Sequence, residues 1–248
     1  MVCLTATWLD NSIDNITVQR NGYADPFRLD RNRHGGGVLA YVKNDIFCVR
    51  RFDYESDDVK ILWLELKTSN FRCLYIAVCY LPPNSNCLLK QKLTDSLSTV
   101  LALLLVDPNC CVLIIGDFSD HSVFKPIQLQ SNLFRTLSAF GFHQFIDTAT
   151  RDRMILDWAV TNVPSAVLSH GVLDPINNFD SNLIFIKLNF SLKHRVVSKP
   201  FFLWDYNNGD FLGLNNALYV TPWEFIIMNS PNVNSALFKY YKCHKPKA

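Results

Sequence analysis

The chain carries no excess of charge of either sign. Twenty-four Lys and Arg stand against twenty-two Asp and Glu, leaving +2 over 248 residues. That balance excludes a protein that holds nucleic acid by global positive charge, so any basic footprint has to be local. No C-x-x-C pair occurs among the 8 cysteines, which argues against a structural zinc site. Several cysteines lie inside apolar runs, where the thiol behaves as a small hydrophobe. No N-terminal stretch combines a basic region, an apolar segment and a small-residue cleavage site. No apolar run is long enough to cross a membrane; residues 97–106 come nearest, and they are too short and include Ser98 and Thr99. These absences favour a reducing compartment, nucleus or cytoplasm, with no membrane partner.

Apolar residues make up 49% of the chain and charged residues 19%, a composition that builds a folded core. The most informative stretch is Cys111-Val-Leu-Ile-Ile-Gly-Asp-Phe-Ser119. An apolar run ends at Gly116 and delivers Asp117. It predicts a strand buried on both faces with a carboxylate at its end, although an ordinary loop Asp after a buried strand has the same signature.

Further strands are expected over residues 1–5, 38–42, 46–51, 61–66, 73–80, 155–160 and 183–190. Apolar residues at Leu89, Leu93, Leu97, Val100, Leu101 and Leu104 predict a helix over 88–106, capped by Ser85 or Asn86. A second helix is expected over 129–140, closed by Gly141. Gly35-Gly-Gly37 precedes a strand rather than a helix, so it reads as a turn and not a phosphate cradle. The basic cluster Arg28, Arg31, Arg33 and His34 reads as a solvated loop. Strands outnumber helices and pair mostly as hairpins, which predicts an α+β fold: a two-sheet sandwich flanked by helices, over residues 1–190. Residues 191–248 have a different character. A basic link with Lys193, His194, Arg195 and Lys199 leads into short helices expected over 206–219 and 233–241, around Pro222-Trp223.

The motifs, taken in order, resemble the endonuclease domain of jockey-like non-LTR (LINE-type) retrotransposons. They are Leu4-Thr-Ala-Thr-Trp-Leu-Asp10, Arg28-Leu-Asp-Arg31, Gly35-Gly-Gly-Val38, Tyr80-Leu-Pro-Pro-Asn-Ser85, Gly116-Asp-Phe118, Thr150-Arg151, Leu156-Asp-Trp158 and Phe179-Asp-Ser181. That domain belongs to the endonuclease/exonuclease/phosphatase superfamily, together with deoxyribonuclease I. The resemblance implies a deoxyribonuclease I-like sandwich, DNA as partner, Mg²⁺ as the only cofactor, and cleavage of a phosphodiester at a target site. It also implies that the family's first strand is missing here. The 191–248 segment is similar to the link that joins such a domain to a reverse transcriptase.

Matched position by position, Asp117 corresponds to the family's water-activating Asp and Tyr80 to its phosphate-contacting Tyr. Asp157 corresponds to the acid of the late strand, and Asp180 to the Asp that supports a catalytic His. Thr150 and Arg151 match the substrate-facing loop before the late strand. Three positions depart from the pattern. Ala6 replaces the metal-holding Glu, Ser119 replaces an Asn, and Ser181 replaces the His. Ala6 offers no oxygen to Mg²⁺. Ser181 cannot become cationic, and Ser119 loses the amide's paired donor and acceptor. Each such loss costs about 10²–10⁴ in rate. The expectation is therefore a domain that has kept its fold and lost its catalysis. Two alternatives stand beside it: a non-catalytic module that binds DNA or protein in the old cleft, and a nuclease of weak residual activity.

Overall fold

The computed structural model describes residues 1–32, 34–68, 73–120, 122, 125–176, 181–193, 210–231 and 235. The chain divides into two compact units, Met1–Val197 and Ser198–Ala248. The elements in chain order are β1 (Val2–Thr5), α1 (Asn15–Val18), β2 (Phe27–Leu29), β3 (Val38–Tyr41), β4 (Cys48–Arg50), β5 (Lys60–Lys67), β6 (Cys73–Tyr80), α2 (Cys87–Leu104), β7 (Cys111–Asp117), α3 (Asn132–Ala139), β8 (His143–Gln144), β9 (Asp157–Thr161), β10 (Val167–Leu173) and β11 (Leu183–Leu188). The second unit contains α4 (Phe211–Val220) and α5 (Trp223–Met228).

A six-stranded sheet, in the order β4-β5-β6-β7-β9-β8, forms the middle layer of the first unit. Its inner strands β5, β6 and β7 are buried on both faces, which explains their near-continuous apolar sequence. One face supports α2 and α3. There Leu93, Leu97, Leu101, Leu133 and Leu137 pack on Trp63, Val112, Ile114 and Trp158. The other face carries a second sheet layer, and Leu62, Leu64, Ile76, Val78 and Leu113 pack against Val38 and Ala40 from β3 and Ile186 and Leu188 from β11. The architecture is thus the expected α+β sandwich with helices on one side. The upper layer comes in two pieces: a three-stranded sheet in the order β1-β3-β2 and the β10-β11 hairpin.

Local signals set the helix ends. Asn86 caps α2, its side chain accepting from the Leu89 amide at 2.8 Å. Ser131 caps α3, which therefore starts three residues later than the apolar spacing predicts; residues Ile127–Leu129 form only a 3₁₀ turn. Gly141, at φ 80°, closes α3 as expected. Its amide donates to Ser138 O at 3.0 Å and the Phe142 amide to Leu137 O at 3.1 Å, the paired bonds of a Schellman end.

Three strands were not expected from the sequence: β2, β10 and the two-residue β8. β2 lies inside the basic cluster read as a solvated loop. Arg28 is instead half-buried. It pairs with Asp30 and donates to the carbonyls of Ile13 and Asp10, so its charge organises the 10–15 loop rather than facing water. β10 was missed because Ser169, His170 and Gly171 interrupt its apolar pattern. In the tail, α4 runs from Phe211 to Val220 within the helix expected over 206–219, whose residues 206–209 lie outside the described residues; so does the helix expected over 233–241, apart from Ser235. Among the described residues no helix is long and apolar enough to cross a membrane.

The tightest constraint in the middle sheet is at Gly116. β6 and β7 run parallel with Cys79 opposite Gly116 and Tyr80 opposite Asp117. Gly116 has φ 150°, and a Cβ built there would lie 1.9 Å from the Cys79 carbonyl oxygen. Only glycine permits this approach. Gly116→Ala should therefore destabilise the first unit by about 2–4 kcal/mol, as substitutions that strain a special backbone position do. Urea denaturation of parent and variant measures this, and a loss below about 0.5 kcal/mol, the range of an ordinary surface substitution, would contradict it.

Candidate active site

The ends of β6, β7 and β9 lie side by side. Asp117 ends β7, with Tyr80 beside it on β6 and Asp157 beside it on β9, where the antiparallel register sets Asp117 directly opposite Asp157. Directly opposed residues project to the same face with Cβ atoms about 5 Å apart. Two carboxylates are thus held together by backbone register alone.

The loop that follows is anchored from below. Phe118 is fully buried and stacks on Trp158 with centroids 4.4 Å apart. Trp158 Nε1 donates to Asp120 O at 3.0 Å. Ser119 sits at φ 45°, a conformation unusual for a residue with a side chain. It folds back so that its amide and hydroxyl both donate to Asp117 Oδ1, at 2.8 and 3.1 Å. One oxygen of Asp117 is therefore oriented by its own loop.

Thr150 organises the β9 side. It is fully buried, and its hydroxyl oxygen accepts from the amides of Leu156 and Asp157 at 3.1 and 3.3 Å. Its amide donates to Met154 O at 2.9 Å, and Arg151 and Met154 close a tight turn through Asp152 at φ 51°. The turn carries Arg151. The Thr150 carbonyl in turn accepts from the Asn182 amide at 2.7 Å, which brings Ser181 to the same edge. Asp180 lies outside the described residues.

On the Tyr80 side the triple glycine matters. A Cβ on Gly36 would meet Arg31 Cδ at 2.5 Å and Tyr80 Cε1 at 3.0 Å. The missing side chain lets the Arg31 stem and the Tyr80 ring both approach the Gly36 backbone. Burial pushes the Tyr80 phenol up, the Asp117 charge adds to this, and the Arg31 and Arg151 guanidiniums oppose it. Asp117, Arg31 and Arg151 therefore all act on one hydroxyl. Ala6, at φ 51°, packs its methyl on the inter-sheet core and brings no polar atom to the edge.

The structure thus gathers Tyr80, Asp117, Asp157, Thr150 and Arg151, with Ser119 bonded to Asp117 and Ser181 one residue from the Asn182 tether. Sequence reasoning missed Arg31 and Gly36 as parts of this edge. The signal was the Arg28-to-His34 cluster next to the glycines, which was read as solvated. The buried carboxylate Glu65 belongs elsewhere: it lies towards the far end of β5, paired with Arg51 and Lys67. Among the described residues no group of three or more His, Cys, Asp or Glu side chains is set to hold a metal ion.

No protein-family profile and no curated protein matches the chain. Solved structures do. The 3′ phosphatase NExo from Neisseria, bound to a product DNA hairpin, is 12% identical with a TM-score of 0.57 over 75% of this chain and 87% of that one. The endonuclease domain of TRAS1, a telomere-specific non-LTR retrotransposon, is 12% identical with a TM-score of 0.54 over 68% and 81%. An AP endonuclease from Archaeoglobus fulgidus is 12% identical with a TM-score of 0.53 over 75% and 88%. At this identity the likeness is one of fold: the chain has the α+β sandwich of the endonuclease/exonuclease/phosphatase enzymes.

Thr150→Val removes the hydroxyl and keeps the shape. It leaves the Leu156 and Asp157 amides without their buried acceptor. The variant should lose about 1–3 kcal/mol in urea denaturation, and Thr150→Ser should recover most of it. Equal stability of parent and the valine variant would show that the hydroxyl does not hold the β9 end.

Proposed function

We propose that this chain is a retroelement-type endonuclease-like domain that binds the DNA phosphodiester backbone at the Tyr80–Asp117–Asp157 edge and no longer cleaves it efficiently. The observation that carries the reading is the register pairing of Asp117 with Asp157, with Tyr80 adjacent and Arg31 and Arg151 acting on its hydroxyl. A phosphate is recognised by such a set: guanidiniums for its charge and a phenol for its oxygen. The likeness in fold to DNA-processing enzymes supports the substrate class, and the TRAS1 domain supports the retroelement origin.

Loss of cleavage rests on Ala6, Ser119 and Ser181. The fold's relatives imply a divalent metal. Mg²⁺ needs hard oxygen ligands. The described residues supply two carboxylates at this edge, and the position that would supply the third oxygen is the Ala6 methyl, so the set does not fit a firmly held ion. The retained acid pair keeps the second reading, a weakly active nuclease, in play as an outcome of the test. On the same reading, residues 1–190 form the nuclease-like domain and 191–248 a helical appendage of the kind that links to another domain, in a protein of the nucleus or cytoplasm.

Binding and cleavage are tested on the same preparations. DNA affinity should fall with salt, and Arg31→Ala and Arg151→Ala should each flatten that dependence by about one unit of slope. In supercoiled-plasmid nicking with Mg²⁺, the parent should match its Asp117→Ala control. The triple change Ala6→Glu, Ser119→Asn, Ser181→His should exceed the parent by about 10²-fold or more, and exceed Ala6→Glu alone and Ser181→His alone, because such groups act as a unit. A parent that nicks as fast as the triple variant would overturn the loss of catalysis. Salt-independent binding, unaffected by either arginine, would overturn the DNA reading.

A further inference from the structure

The tryptophans of the first unit do not behave alike. Trp63 and Trp158 are 0% exposed, whereas Trp8 is 60% exposed. Trp8 also sits at φ 58°, a backbone region that bulky side chains rarely occupy. Its neighbours hold it there. The Thr7 amide donates to Gly37 O at 3.5 Å and the Trp8 amide to Gly36 O at 3.0 Å, so this loop lies along the triple glycine. Ala6 packs on the inter-sheet core, and the Thr7 hydroxyl is buried against Gly37, where a Cβ would come within 2.7 Å of it. Trp8 is the residue that this clamp leaves facing water. A large ring presented on a strained and clamped backbone is a built feature of the edge.

Its position ties it to the phosphate-recognising groups. Gly36, which accepts the Trp8 amide, is the glycine that the Arg31 stem and the Tyr80 ring both approach. Through that one residue the Trp8 amide lies within about 10 Å of the Tyr80 ring, by covalent dimensions alone. A strand of nucleic acid advances about 3.4 Å per nucleotide, so a phosphate at Tyr80 brings bases within about three nucleotides to Trp8. Charge does not explain the ring's surroundings. Residues 1–19 include no Lys or Arg, and Asp10 and Asp14 lie on the same stretch. This loop therefore repels a phosphate, and what it offers a DNA strand is an aromatic face.

We infer that Trp8 stacks on an unpaired nucleobase near the phosphate at Tyr80, so that DNA with unpaired nucleotides is favoured over continuous duplex. The inference rests on the DNA reading above and names the form of DNA that the edge prefers. Stacking needs the open face of a base, and inside a duplex both faces are covered by neighbouring pairs. Single strands, mismatches and frayed ends leave a face free. Every base has a π-face, so the preference is for strandedness and not for sequence. The ring carries no charge, so it adds affinity without adding to the salt dependence that Arg31 and Arg151 supply.

The test titrates the full chain with three labelled DNA probes: a single strand of about 12 nucleotides, the same strand built from abasic sugars throughout, and the same sequence as a duplex. The parent should bind the base-bearing single strand about 5–100-fold more tightly than the abasic one. Trp8→Ala should remove most of that difference and lower the ratio of single-strand to duplex affinity, and Trp8→Phe should restore most of both. The salt slope and the melting temperature should be the same in parent and Trp8→Ala, since the ring is uncharged and exposed. A parent that binds the base-bearing and abasic strands alike, or a Trp8→Ala variant that keeps the difference, would overturn the inference and leave the DNA reading standing. A Trp8→Ala variant that melts well below the parent would make Trp8 a packing residue and overturn it as well. A parent that binds none of the probes would overturn the DNA reading, and this inference with it.

Discussion

The close approach of Gly116 to the Cys79 carbonyl fixes what else this structure can be. It locks β6 and β7 in one parallel register, with Tyr80 beside Asp117. Once that is set, the antiparallel pairing of β7 with β9 puts Asp157 opposite Asp117. A slip of one residue in either pairing would turn a carboxylate to the helix face. The aromatic stack of Phe118 on Trp158, and the Thr150 hydroxyl on the β9 amides, hold the two loops that a site at this edge requires. The edge is assembled from core packing outward, and its polar groups are placed by buried neighbours.

Departures from relaxed backbone gather at this edge. Ala6, Trp8, Ser119 and Asp152 are non-glycine residues at positive φ, and all lie on the loops around Tyr80, Asp117 and Arg151. Such conformations persist where the surroundings over-determine them, and they concentrate at functional sites. Ala6 and Ser119 are also positions where the motif pattern departs from the nuclease family. The strained backbone of this edge thus coincides, at Ala6 and Ser119, with two of the positions on which the proposed loss of cleavage rests.

Much of this was legible in the sequence. The apolar run ending in Gly116-Asp117 announced a buried strand with an acid at its tip, because burial on both faces leaves a continuous apolar signature. The spacing of Leu93, Leu97 and Leu101 gave α2, and Gly141 marked the end of α3. The pairing of Asp117 with Asp157 could be anticipated only from motif order, since register is a long-range property. β2 was hidden because Arg28 reads as solvent-facing, whereas its ion pair with Asp30 and its bonds to two carbonyls let it sit half-buried. Arg31 and Gly36 were hidden for a related reason: the approach of an arginine stem and a tyrosine ring to one glycine leaves no periodic trace.

The central claim is that Asp117 and Asp157 act on one another across the β7–β9 pair. A double-mutant cycle on stability at neutral pH, with Asp117→Asn, Asp157→Asn and the double variant, measures this directly. Opposed like charges repel, so each single change should relieve the same repulsion and the double should gain less than the sum. The interaction should be about 0.5–3 kcal/mol. Changes that add within about 0.3 kcal/mol would mean that the two carboxylates do not meet, and the site as described would not exist.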